Sequence, residues 1–304
     1  MEFVMTLAQL GLVLGFLGAV LQAANYAFAK DCQERFSLTG VRLLLAMHVF
    51  MGLVMLVPFM LFRHWQYLNL QTLLKLLAFV VPYLLGQYFC YRAIALSDSS
   101  IVSPLLSLKI PLLALMAFVL ESQHFSALQL LSIVLIMALG CFSSALSGRV
   151  RPGPLFCVLI CCSCYAYSNF QLAAFMQHLG QECGVSSRYE QILISTTCEF
   201  VCCLLPALLL CCWRALKLQP RHVWQAKWTG SAWLLSMFGI ISCFNFTGVV
   251  EGNVVQSLRG VIGVLIAYIF YRSYIHDPGT FNKKLFIAAG MFAAVVLYYV
   301  PVEL

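Results

Sequence analysis

Charged residues are scarce in this sequence. Asp, Glu, Lys and Arg together make up 10% of the 304 residues, whereas hydrophobic residues make up 62%. An ordinary soluble domain has about 25% charged and roughly 45–50% apolar residues. This scarcity of charge excludes an ordinary soluble domain and predicts an integral membrane protein.

Sequence signatures of catalysis are also lacking. No paired acids, His–Asp set or serine nucleophile with a neighbouring base stands out along the chain. A glycine-rich phosphate-binding loop is missing too, which argues against an ATP-driven pump. We therefore predict that the protein is not an enzyme and has no cofactor.

The cysteines lack the arrangement of a metal site, although there are 14 of them. Two cysteine-rich segments, CVLICCSC at 157–164 and CEFVCC at 198–203, place some thiols along one helix face. A structural zinc site instead usually has paired C-x2-C elements on turns or histidine partners. We predict that these cysteines pack as small hydrophobic residues and that the chain binds no metal.

Long apolar runs dominate the chain. A membrane-crossing helix needs about 20 apolar residues. The first run begins close to Met1 without a basic segment or an Ala-x-Ala-like cleavage site, so we interpret it as a retained helix. We expect an all-α integral membrane protein with ten transmembrane helices, at Thr6–Ala29, Gly40–Phe62, Leu76–Leu96, Ile101–Leu120, Ala127–Leu146, Pro154–Phe175, Ile192–Trp213, Ala232–Val250, Val254–Tyr271 and Leu285–Val300.

The net charge of +7 does not come from a basic patch. The cations lie mainly in the short loops, so we expect no nucleic-acid partner. Most of them flank odd-numbered loops, which by the positive-inside rule places both termini outside the cytoplasm.

The two halves of the chain resemble each other weakly. At an offset of 150 residues, Ser107-Leu108-Lys109 falls on Ser257-Leu258-Arg259. Each half holds five predicted spans, an odd number, so the second half enters the membrane in the opposite sense. We predict a 5+5 inverted repeat, residues 1–147 and 148–304, that forms one membrane domain and functions as a monomer.

Several segments carry a family resemblance. YRAIALSDSSIVSPLLSL joins the third and fourth spans, Glu121 closes the fourth, and RGVIGVLIAYIFY forms the ninth. Together they resemble the EamA-type branch of the drug/metabolite transporter superfamily. The resemblance implies a carrier of the bacterial inner membrane that works by alternating access around a central cavity. It also implies cytoplasmic termini, in conflict with the loop charges, so the orientation stays open.

Two cations, Lys109 and Arg259, lie inside apolar runs. Such a residue at a helix centre costs about 2.5–3.5 kcal/mol, so it generally faces protein or a wet cavity. In one interpretation each cation is neutralised by a carboxylate and clamps helices together. In the other, which we favour, the pair binds an anionic group. Phosphate-sugar translocators of the same superfamily are similar here, since they recognise anions with basic residues on helices 4 and 9.

Other polar residues in the spans are candidates for the substrate site or for proton coupling. His48 and Glu199 occupy equivalent positions of the two repeats, and either could carry a coupling proton. The alternatives are a packing histidine and a structural counterion. A wider polar lining includes Gln22, Tyr165, Gln171 and Asn253. The substrate-binding candidates besides Lys109 and Arg259 are Asn25, Tyr26, Gln87, Tyr91, Asn169, Asn245 and Gln256.

The sequence therefore predicts a secondary transporter of a small metabolite that carries a carboxylate or phosphate. Its expected partners are that solute and membrane lipid. Two alternatives remain open: an exporter of neutral or cationic amino acids or drugs, and a flippase for polyprenyl phosphate or another lipid.

Overall fold

The computed structural model describes residues 5–97, 99–148, 151–211, 218–270 and 278–300. Within these ranges every regular element is a helix, and no strand occurs. Two short 3-10 helices, His64–Tyr67 and Leu106–Leu108, accompany the α-helices. In chain order the α-helices are α1 (Leu7–Phe36), α2 (Gly40–Leu61), α3 (Leu70–Leu96), α4 (Ser99–Leu105), α5 (Lys109–Glu121), α6 (Ala127–Ser147), α7 (Pro152–Gln181), α8 (Arg188–Cys211), α9 (Pro220–Gln225), α10 (Lys227–Thr247), α11 (Val249–Gln256), α12 (Arg259–Phe270) and α13 (Pro278–Tyr298).

Eight helical segments in the described ranges are long and apolar enough to cross a membrane. They are α1, α2, α3, the segment Ile101–Glu121, α6, α7, α8 and α10. The ninth predicted span overlaps α11 and α12, and the tenth overlaps α13. These three helices are not among the eight. Two predicted span ends, Trp213 and Tyr271, lie outside the described residues. The chain is a multi-pass, all-helical membrane protein.

The fourth and ninth predicted spans are interrupted in the same way. A 3-10 turn separates α4 from α5, where the Ser107 hydroxyl donates to the Pro104 carbonyl over 2.7 Å. Between α11 and α12, the Ser257 hydroxyl donates to the Val254 carbonyl over 2.6 Å. A serine that bonds back to its own helix competes with the regular backbone pattern. The helix that follows each interruption begins at a cation, Lys109 or Arg259.

The main helix contacts join the first half of the chain to the second. Helix α1 packs along α10, α3 along α7, α2 along α8 and α6 along α13. Glycines allow the closest of these approaches. A Cβ atom on Gly239 of α10 would lie 2.5 Å from the Leu14 carbonyl oxygen and 3.1 Å from the Gly18 backbone of α1. The α1–α10 pair therefore packs backbone against backbone.

Polar contacts tie the halves together near the loop between α2 and α3. The His64 Nδ1 and Thr197 Oγ1 atoms are 2.7 Å apart, and the Tyr67 hydroxyl donates to Glu190 over 3.2 Å. Burial lowers the pKa of His64 from its usual value, while the nearby Glu190 carboxylate opposes that shift. A neutral His64 can therefore bridge the first half to α8.

The described cysteines are free thiols, and most of them are buried. Cys90, Cys157, Cys161 and Cys162 belong to one apolar cluster between α3, α4 and α7. In the ranges that the structure describes, no three His, Cys, Asp or Glu side chains are grouped so that they could hold a metal ion.

Candidate functional site

Lys109 and Arg259 lie inside the protein. Each is the first residue of its helix, and each is 5% exposed. Helix α5 belongs to the first half of the chain and α12 to the second. The two interruptions thus bring one cation from each half into the interior.

Two glutamine side chains connect the cations. The Lys109 Nζ atom donates to Gln256 Oε1 over 2.8 Å, and Gln256 Nε2 donates to Gln22 Oε1 over 3.0 Å. The same Gln22 oxygen accepts a hydrogen bond from Arg259 Nη1 over 3.0 Å. We call the pair Gln22 and Gln256 the amide bridge. Both members are buried.

Further neutral groups surround the Lys109 ammonium. With its amide oriented to satisfy its neighbours, Asn169 accepts from Lys109 Nζ over 3.3 Å and from Asn253 Nδ2 over 3.2 Å. The ammonium also lies 5.7 Å from the centre of the Tyr165 ring, within the range of a cation–π interaction. All the groups that these contacts bring to Lys109 are uncharged.

Among the residues that the structure describes, no carboxylate forms an ion pair with Lys109 or Arg259. The ion pairs found there, Lys30–Glu34 and Arg35–Asp31, lie at the end of α1. Arg259 Nε is buried and has no hydrogen-bond partner in the same described part. Within the described ranges, the two buried positive charges are therefore bonded only to neutral acceptors, and the Arg259 Nε–H group has no acceptor.

Of the other substrate-binding candidates, some contact the two cations and others do not. Gln256 and Asn169 contact Lys109, and Tyr26 packs against the apolar cluster between α3, α4 and α7. Gln87 is buried, and neither of its amide atoms has a partner among the described residues.

Three candidates are bound to other groups. Asn25 donates to the Thr229 carbonyl of α10 over 2.8 Å, and the Tyr91 hydroxyl donates to the Met47 sulfur over 3.0 Å. Asn245 donates to Gln191 Oε1 of α8 over 3.2 Å. These contacts join helices and do not reach the cations.

A comparison with protein families finds a match in the first half of the chain. Residues 9–144 match the EamA-like transporter family. The matched residues make up less than half of the chain. That family lies within the drug/metabolite transporter superfamily, and the match suggests a membrane transporter of that type.

Most of the chain superposes on a solved structure. A structure titled "Crystal structure of protein" superposes with a TM-score of 0.66 at 14% sequence identity, over 94% of this chain and 96% of that chain. Identity this low indicates a shared fold only. A comparison with the curated proteins finds no match.

The two proton-coupling candidates lie on neighbouring helices. Glu199 of α8 is 1% exposed, and its Oε2 atom has no hydrogen-bond partner in the described ranges. His48 of α2 contacts the Leu44 carbonyl through Nδ1 over 2.8 Å, while its Nε2 has no partner there. The Tyr83 ring centre lies 5.8 Å from that of His48.

Sequence reasoning did not single out Gln22, which the structure puts at the centre of the cation network. It counted Gln22 and Asn253 only as general lining. A usable signal was present, because Gln22, Asn25 and Tyr26 are spaced i, i+3 and i+4 and therefore share a helix face. No pattern in the sequence indicated that the Trp233 side chain donates to the Tyr83 hydroxyl, which it does over 2.7 Å.

Proposed function

We propose that the protein is a secondary transporter of a small metabolite that carries a carboxylate or phosphate. The observation that carries this proposal is the pair Lys109 and Arg259, buried together and bonded to neutral amides. A buried charge without a counterion is costly. An anionic solute would supply the negative charge that no described residue gives to this pair, and Arg259 Nε, which has no partner among the described residues, would give it a further donor.

The proposal includes alternating access by a ten-helix, 5+5 inverted repeat made of residues 1–147 and 148–304. The helix contacts support this repeat. In it, α7 corresponds to α1 and α10 corresponds to α3, so the contact of α1 with α10 is equivalent to the contact of α7 with α3. The serine-lined interruptions before Lys109 and Arg259 are equivalent in the same sense. Transporters with inverted repeats bind substrate at such broken helices near the midplane. We also propose that the protein is a monomer in the bacterial inner membrane.

A thermal-shift screen of the purified protein tests the substrate class. Ligands that bind only the folded state raise the melting temperature, so carboxylates or phosphorylated metabolites are expected to stabilise the protein. The comparison panel contains neutral and cationic amino acids, organic cations and polyprenyl phosphate. Stabilisation by amino acids or organic cations alone would favour the exporter alternative. Stabilisation by polyprenyl phosphate alone would favour a flippase.

We further propose that Glu199 carries the coupling proton. Its buried carboxyl lacks a cation among the described residues, and an ionised carboxylate would be expensive there without one. In proteoliposomes, Glu199→Gln is expected to abolish uptake driven by an imposed pH gradient but to retain exchange of substrate across the membrane. Glu182→Gln, at an exposed site after α7, is the control.

Unaltered gradient dependence in Glu199→Gln would exclude this role. The same assay on His48→Asn then tests the second candidate, since the asparagine amide can still donate to the Leu44 carbonyl while it cannot titrate.

A further inference from the structure

The amide bridge occupies the positions at which an anion would contact the two cations. Lys109 donates to one amide oxygen, Gln256 Oε1, and Arg259 donates to the other, Gln22 Oε1. We propose that the amide bridge is a placeholder: it satisfies both cations in the empty transporter, and the substrate anion displaces both amide oxygens when it binds. This inference rests on the proposed function.

The strengths of the hydrogen bonds make such a displacement favourable. A hydrogen bond between a cation and an anionic oxygen is stronger than one to a neutral acceptor. The amide oxygens therefore prevent Lys109 and Arg259 from being buried without acceptors, but they cancel no charge. A carboxylate in the same place would neutralise the cations and compete with the substrate. Neutral amides suit a site that must be satisfied when empty and still accept an anion.

The arrangement also selects the shape of the ligand. Lys109 and Arg259 contact different oxygens, so a ligand that replaces both must present at least two anionic oxygens, as a dicarboxylate or a phosphate monoester does. Gln22 and Gln256 are thus positioning and specificity-determining residues of the site.

Displacement would also break links between the two halves of the chain. The network passes from Lys109 in the first half to Gln256 in the second, back to Gln22 in the first, and on to Arg259 in the second. Each of its three hydrogen bonds crosses between the halves. An anion that replaces these bonds removes three direct hydrogen bonds between the two halves. Binding is thereby coupled to the movement of one half relative to the other.

The test measures binding of inorganic phosphate and succinate to full-length variants by calorimetry. Gln256→Glu places a carboxylate beside Lys109, so both anions are expected to bind at least 10-fold more weakly, and the empty protein is expected to melt at a higher temperature. Gln256→Met removes the competing oxygen and is therefore expected to bind both anions more tightly than the wild type does. Gln181→Glu, at the exposed end of α7, controls for the added charge.

Two results would overturn the placeholder alone. Gln256→Met could weaken binding as much as Lys109→Gln does, which would make Gln256 a direct ligand, or Gln256→Glu could bind both anions like the wild type. Failure of wild-type protein to bind either anion would overturn the proposed function together with the placeholder. Gln22→Glu, which sets a carboxylate against Arg259, gives the same test if Gln256→Glu does not fold.

Discussion

Arg259→Gln is expected to weaken binding of the anionic substrate by about 10- to 100-fold, because a hydrogen bond to a charged group contributes about 1.5–3 kcal/mol and each 1.4 kcal/mol is about tenfold in affinity. Lys109→Gln should have a similar effect, since each cation donates to its own acceptor oxygen. Arg259→Lys should retain part of the affinity because it preserves the charge but not the planar fork. Thermal shift with the stabilising anion and uptake into proteoliposomes both measure the loss.

Lys30→Gln is the matched control for these two variants. It removes a cation whose side chain is 53% exposed and which pairs with Glu34 on the surface of α1. Exposed pairs of this kind contribute little, so binding should stay at the wild-type level. Normal transport of anions by both Arg259→Gln and Lys109→Gln would show that the two cations have a structural role instead.

Gly239→Ala is expected to destabilise the fold by disturbing the packing of α1 against α10. The new Cβ atom would lie 2.5 Å from the Leu14 carbonyl oxygen, a backbone atom that cannot move without the rest of α1. Overpacking of this kind typically costs about 1–3 kcal/mol, so a lower melting temperature or a loss of folded protein is expected. Fluorescence-detected gel filtration of the heated protein provides the measurement.

Gly263→Ala, in α12, is the control for Gly239→Ala. A Cβ atom there has no neighbour within 4 Å among the described residues, so the substitution adds helix propensity of about 1 kcal/mol without a collision with them. The melting temperature of this variant should equal or exceed that of the wild type. Equal stability of Gly239→Ala and Gly263→Ala would contradict the close packing of α1 on α10.

The class of the protein and its two central cations could be predicted from the sequence. A bilayer has a fixed thickness, and its interior cannot satisfy a backbone, so apolar runs of sufficient length predict membrane helices without knowledge of their neighbours. The cost of a charge in such a run likewise marked Lys109 and Arg259. The similarity of residues 9–144 to the EamA-like transporter family was recognisable from the segment YRAIALSDSSIVSPLLSL, which lies within them.

The partners of those cations were decided only by the tertiary structure. Gln256 lies 147 residues from Lys109, and Gln22 lies 237 residues from Arg259. Nothing in the sequence distinguished Gln22 and Gln256 from Asn25 or Asn245, which bind helices away from the cations. A polar side chain in a membrane helix needs some partner, but which partner it finds depends on how the helices rotate and pack against one another, and hydropathy does not encode that.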